Sequence, residues 1–125
     1  METTRYQFVK LGMHLEYLRG IGSISVMQSG SLAEFPHLLE NMPGSRYSVL
    51  NVVQTIRAVL AQFEVLELKQ SQEAAAPWLP MLGEMEQALG QSRVQAEVTL
   101  RDHFAEKLVV IARTVSLAVK EETSR

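Results

Sequence analysis

The chain contains no cysteine, which removes disulfides, thiol nucleophiles, Cys-bearing zinc sites and iron–sulfur clusters together. No apolar run approaches the roughly 18 residues that a membrane-spanning helix needs. The most hydrophobic stretch, Phe104 to Val119, carries Glu106, Lys107 and Arg113. Clustered positive charge is missing too. The net charge is -2 and the 12 Lys and Arg residues are scattered, with a pI near 5.9. A surface built to neutralise phosphates depends on grouped cations, so nucleic acid is not an expected partner. Glu2 and Arg5 stand ahead of a helical pattern, which is not the charged, apolar, small-residue layout of a signal peptide. These absences make a soluble protein the expectation and leave the redox compartment open; cytoplasmic is the location expected. A Met followed at once by a structured segment also suits a fragment cut from a longer protein.

What the chain does have is apolar periodicity. At 125 residues with 46% hydrophobic content it can bury a core without metals or staples, so residues 1–125 read as a single helical-bundle domain. Phe8, Leu11, Leu15 and Leu18 recur at helical spacing, widened by Tyr6, Val9, Met13 and Tyr17. They predict a first helix from Thr3 or Thr4 to Arg19, ended by Gly20 and Gly22 acting as C-caps. The stretch Ile21 to Gly30 fits either a helical turn or a loop. Ser31 with Glu34 matches a capping box and predicts a short helix over Leu32 to Asn41. A turn follows at Pro43, Gly44 and Ser45.

From Tyr47, the positions Val49, Val52, Val53, Ile56, Val59, Leu60, Phe63 and Leu66 define a core helix. Asn51, Gln54, Arg57, Gln62 and Glu64 fall on its opposite, polar side. Periodicity lapses over Gln70 to Ala76. The run from Trp78 to Val119 then reads as close to one continuous amphipathic helix, bent near Gly90. Its seam is Val94, Val98, Arg101, Ala105, Leu108, Ala112, Val115 and Val119. Lys120 to Arg125 should fray. The fold class expected is all-α: an up-and-down antiparallel bundle of four or five helices with a long C-terminal helix.

Residues that could carry chemistry have structural explanations nearby. Glu34-Phe35-Pro36-His37 has the Glu-x-x-His spacing of di-iron bundles, but such sites need a second copy that the chain lacks, and Pro36 separates the two ligands. His14 and His103 are isolated in sequence and read as surface or boundary histidines. Glu16-Tyr17-Leu18-Arg19-Gly20 is similar to the His-x-x-Lys-Gly segment of histidine phosphotransfer domains. Glu16 replaces the imidazole there, so no phosphoramidate can form. Gly20-Ile21-Gly22 lacks the third glycine and the strand of a dinucleotide site. Glu97 with Arg101 and Glu16 with Arg19 read as solvated helix-surface pairs. Met81 and Met85 read as core filling, and Trp78 as closing one end of the bundle. No catalytic, cofactor-binding or metal-ligating residue is assigned, and no cofactor is expected.

Three segments carry a resemblance to a known family. They are Ile56-Arg57-Ala58 with Phe63-Glu64, then Pro77-Trp78-Leu79-Pro80-Met81-Leu82, then Asp102-His103-Phe104-Ala105-Glu106-Lys107-Leu108-Val109-Val110-Ile111. In this order they resemble the C-terminal domain of the vesicle-tethering subunits that distinguish the Golgi-associated retrograde protein complex from its endosomal sister complex. Only Met42 to Arg46 stands where that family has a longer glycine-rich segment. The resemblance implies a non-enzymatic scaffold domain that contacts other protein subunits, peripheral at Golgi or endosome membranes during endosome-to-Golgi transport. A second expectation, from the bundle alone, is a small bacterial helical adaptor or secretion chaperone that binds a partner helix in an apolar groove. A helical enzyme with a site assembled from distant residues ranks third.

Overall fold

The apolar periodicities become α1 (Glu2–Met27), α2 (Val49–Val65), α3 (Lys69–Ala75), α4 (Leu79–Leu89) and α5 (Arg93–Thr123), with a 3-10 turn at Ala76–Trp78. The computed structural model describes residues 2–27 and 49–124, and no strand occurs among them. The short helix expected over Leu32 to Asn41, the Pro43 turn and Tyr47 lie outside the described residues. No helix among the described residues is long and apolar enough to cross a membrane.

The five helices among the described residues form four rods, because α3, the 3-10 turn and α4 continue one another around Pro77. Proline suits that position, where its missing N–H leaves no helical bond unmade. His14 of α1 bonds to Gln62 of α2, while Tyr17 shares a cleft with Asn51 and Gln54, so α1 and α2 are antiparallel. Arg57 pairs with Glu86 and Leu60 meets Leu79, so α2 and α4 are antiparallel as well. Glu97 reaches the start of α2 and Glu122 the residues just beyond its end, which makes α2 and α5 parallel. Alternating rods of an up-and-down bundle must run this way, and the expected all-α bundle with a long C-terminal helix is the fold that forms.

The core is the shared interior of these rods. Val49, Val52, Val53, Ile56, Val59 and Phe63 of α2 are fully buried, as the periodicity required, and so are Leu100, Leu108, Val109, Ile111, Ala112 and Val115 of α5. Leu11, Leu18 and Ile21 join them from α1, and Leu82, Met85 and Ala88 from α4. Each large side chain contributes about 1.5 to 3 kcal/mol through burial.

Several local expectations are corrected. α1 does not stop at Gly20 and Gly22 but runs to Met27. Two helical glycines cost about 1 kcal/mol each, and burying Ile21 between them offsets that cost. The segment over Gln70 to Ala76 is helical, because Ser71 and Ala75 are small, buried and one turn apart, which lets α3 lie close against α5. The run from Trp78 is broken rather than continuous. Gly90 N–H bonds to Gln87 O and Gln91 N–H to Ala88 O, and Ser92 then caps α5 by accepting from the Gln95 N–H at 3.3 Å. Ser92-x-x-Gln95 has the sequence of a capping box, which the apolar periodicity concealed. On the first turns of α5, Val94 and Val98 are exposed, at 76% and 41%, while Ala96 and Leu100 are buried. Val94 and Val98 therefore leave the expected seam, which holds at Leu108, Ala112, Val115 and Val119. Lys120 to Thr123 stay helical because Glu122 is anchored, as described below.

α2 ends in a Schellman motif without glycine. Leu68 N–H bonds to Phe63 O at 2.9 Å and Glu67 N–H to Glu64 O at 3.2 Å, with Glu67 at φ 56°. The left-handed conformation strains a residue that has a Cβ, and the buried contact side chains Leu68 and Phe63 hold it in place. Glu67→Gly should raise the free energy of unfolding by about 0.5 to 1 kcal/mol, measured by urea denaturation. In the same assay Leu108→Ala should lower it by about 2 to 5 kcal/mol, and a loss under about 1 kcal/mol would place Leu108 outside the core.

Candidate functional site

The outer face of α1 is apolar. Tyr6, Val9 and Met13 recur at three- and four-residue intervals and are 58%, 57% and 66% exposed. Leu11, Leu18 and Ile21, on roughly the opposite side of the same helix, enter the core. The sequence pattern placed Tyr6, Val9 and Met13 at the edge of the core stripe, and Phe8 within it. Instead Phe8 is exposed and the other three form a separate stripe facing solvent. With both sides apolar, periodicity alone does not say which one the core takes. Lys10 lies over the Tyr6 ring, its Nζ 5.2 Å from the centroid, and Arg5 is exposed beside the stripe. The face is thus apolar, with Arg5 and Lys10 at its rim near the start of the helix and exposed Glu16 beyond Met13.

Polar contacts brace this helix and its neighbours. His14 Nδ1–H donates to Gln62 Oε1 at 3.1 Å; the amide oxygen can only accept, so Nδ1 carries the proton. Gln62 is buried rather than on the solvated side of α2, and His14 supplies the partner that burial demands. The N-terminus of α2 is capped from a distance: Glu97 Oε1 of α5 accepts from the Leu50 N–H at 3.0 Å. Glu97 is therefore a half-buried cap, not a solvated surface residue, and the Arg101 side chain lies outside the described residues. α3 has no side-chain cap of its own. Glu122 of α5 provides one, accepting from Ser71 N–H at 2.8 Å and Ser71 Oγ–H at 2.6 Å on Oε1, and from Gln70 N–H at 3.2 Å on Oε2. A carboxylate at a helix N-terminus satisfies free amides and meets the positive end of the helix dipole. Nothing local in the sequence signals these caps, because each joins residues about fifty positions apart.

A cleft runs between α2 and the α3–α4 rod. Its two halves, about 280 and 310 Å³, share Leu60 and Leu79. Phe63, Ala75 and Leu82 form the buried floor. One end carries the Arg57–Glu86 ion pair at 2.9 Å and the other Glu64. Gly83 lines the cleft, and a Cβ added there would meet nothing within 4 Å. Glycine inside a helix costs about 1 kcal/mol relative to Ala, and packing within the molecule does not require it here.

The residues weighed for chemistry are dispersed. Glu34 and His37 lie outside the described residues. His14 is occupied with Gln62. His103 is exposed, edge-on to Phe104 at 6.2 Å between centroids. It lines an open cleft of about 730 Å³ between α4 and α5 with Glu84, Gln91 and Thr99. Glu84 and His103 are both exposed to water there. Among the described residues no three His, Asp or Glu side chains gather as a metal site would require. Glu16 and Arg19 are exposed along an uninterrupted helix, Trp78 and Met81 are half-buried against the core, and Met85 is within it. Compared with protein-family models, curated proteins and solved structures, the chain has no match.

Because Glu122 holds three donors at the start of α3, Glu122→Ala should lower stability by about 2 kcal/mol. Amide exchange at Gln70 and Ser71 should accelerate more than exchange in the middle of α2, and uniform acceleration would show that the cap is not local.

Proposed function

We propose that the chain is a non-enzymatic interaction domain, a helical scaffold that contacts other protein subunits through the outer face of α1. The observation that carries this reading is the stripe of Tyr6, Val9 and Met13, each more than half exposed, on a helix whose opposite side is fixed in the core. Maintaining an ordered apolar face in water is unfavourable unless a partner covers it, and two turns of knobs with charged residues at the rim suit a helix-on-helix contact.

Within that reading, the resemblance of Ile56-Arg57-Ala58, Pro77 to Leu82 and Asp102 to Ile111 to retrograde tethering subunits supports a vesicle-tethering scaffold, cytoplasmic and peripheral at Golgi or endosome membranes. The Ile56 and Leu108 positions of those segments are core anchors of the bundle, in keeping with a shared rod-like architecture. The apolar α2–α4 cleft favours the second reading, an adaptor or chaperone that takes a partner helix in a groove.

Affinity capture with the tagged chain and with Met13→Glu, quantified by mass spectrometry, separates these. A tethering scaffold returns subunits of a multisubunit tether, reduced at least about tenfold by Met13→Glu. Recovery of a single client unaffected by Met13→Glu would replace that reading with the chaperone one.

A further inference from the structure

We infer that copies of this chain associate head to tail, with the α1 face of one molecule seated in the α2–α4 cleft of the next. This rests on the reading of α1 as an interaction face and identifies an occupant for the cleft. Four observations lead to it.

The face and the cleft lie on opposite sides of the bundle, since α1 and the α3–α4 rod flank the α2–α5 pair. Neither can cover the other within one molecule, and a contact between unlike surfaces on opposite sides repeats from copy to copy. Their lengths agree. Tyr6 to Met13 spans about two helical turns, and so does the α2 wall of the cleft from Arg57 to Glu64. Their charges are complementary. The cleft carries Glu64 at one end and the Arg57–Glu86 pair at the other, while Arg5 and Lys10 border the apolar face of α1 towards its start and exposed Glu16 follows Met13 at its far end. Gly83 gives an incoming helix room for close approach, with nothing beyond its chain neighbours and its own helix backbone within 4 Å of where a side chain would begin.

A self-contact between two α1 faces fits less well. The residues at 3-4 spacing are Tyr6, Val9 and Met13, so an antiparallel pair centred on Val9 and Met13 sets Lys10 of one copy close to Lys10 of the other. Three principal side chains make a small interface, so the association is weak and its partners exchange rapidly.

Sedimentation of the full chain between about 10 µM and 1 mM tests it. The weight-average mass should rise with concentration past that of a dimer, and 0.5 M salt should reduce it. Met13→Glu, which spoils the face, and Gly83→Trp, which fills the cleft, should each be monomeric. Both positions are exposed, and circular dichroism should show both variants helical. An equimolar mixture should recover a one-to-one dimer and nothing larger, because each variant keeps the surface that the other has lost. A chain monomeric throughout, assembly that stops at a dimer, or a mixture that stays monomeric would overturn the proposal. The assay uses purified protein alone, so any of these results leaves the capture of other subunits through α1 standing, and a failed capture leaves this assembly standing.

Discussion

Burial of the apolar stripe of α5 is the interaction on which the other elements depend. Leu100, Leu108, Val109, Ile111, Ala112, Val115 and Val119 are buried along it, and α1, α2, α3 and α4 all pack against this helix. A helix of this length is marginal alone in water and gains stability from tertiary packing. The dependence is therefore mutual, with α5 templating the rods that stabilise it.

The same helix also supplies the directional contacts that burial cannot. Apolar contact is nearly indifferent to small shifts of a rod along its axis, whereas a carboxylate placed on backbone N–H groups is not. Glu97 fixes the start of α2 and Glu122 the start of α3, so two points far apart on α5 set the register of its neighbours. With the frame held in this way, α1 needs only part of its surface for folding. Leu11, Leu18 and Ile21 secure it, and its outer side remains available for a partner. The opposite edge of the bundle presents the α2–α4 cleft, and the joining of components through these two surfaces is what we propose for this domain.

Legibility in the sequence followed the clarity of the periodicity. α2 was readable almost residue by residue, because its apolar positions recur on one face. α5 was readable from Leu108 onward, where large aliphatic residues dominate. The α4–α5 turn was obscured because Gly90 and Ser92 sit between two amphipathic patterns that happen to stay nearly in phase. α3 was obscured for the opposite reason: its buried residues are Ser71 and Ala75, which carry almost no hydrophobic signal. On α1 the apolar residues occupy both sides of the helix, and the pattern did not distinguish the core side from the exposed one. The apolar face of the candidate site was thus visible as residues but not as a surface.

The sequence alone determined that the fold is all-α, that it has one long C-terminal helix, and that α2 and the end of α5 lie in the core. Those properties follow from local propensity and from the spacing of greasy side chains, both written within a few turns of chain. The tertiary structure decided where the rods end, which face of α1 meets water, that Gln62 is buried on His14, and that Glu97 and Glu122 cap helices to which they are not adjacent in sequence. Each of these depends on what stands opposite a residue in space, and the energy of such a pairing has no counterpart in the order of neighbours along the chain.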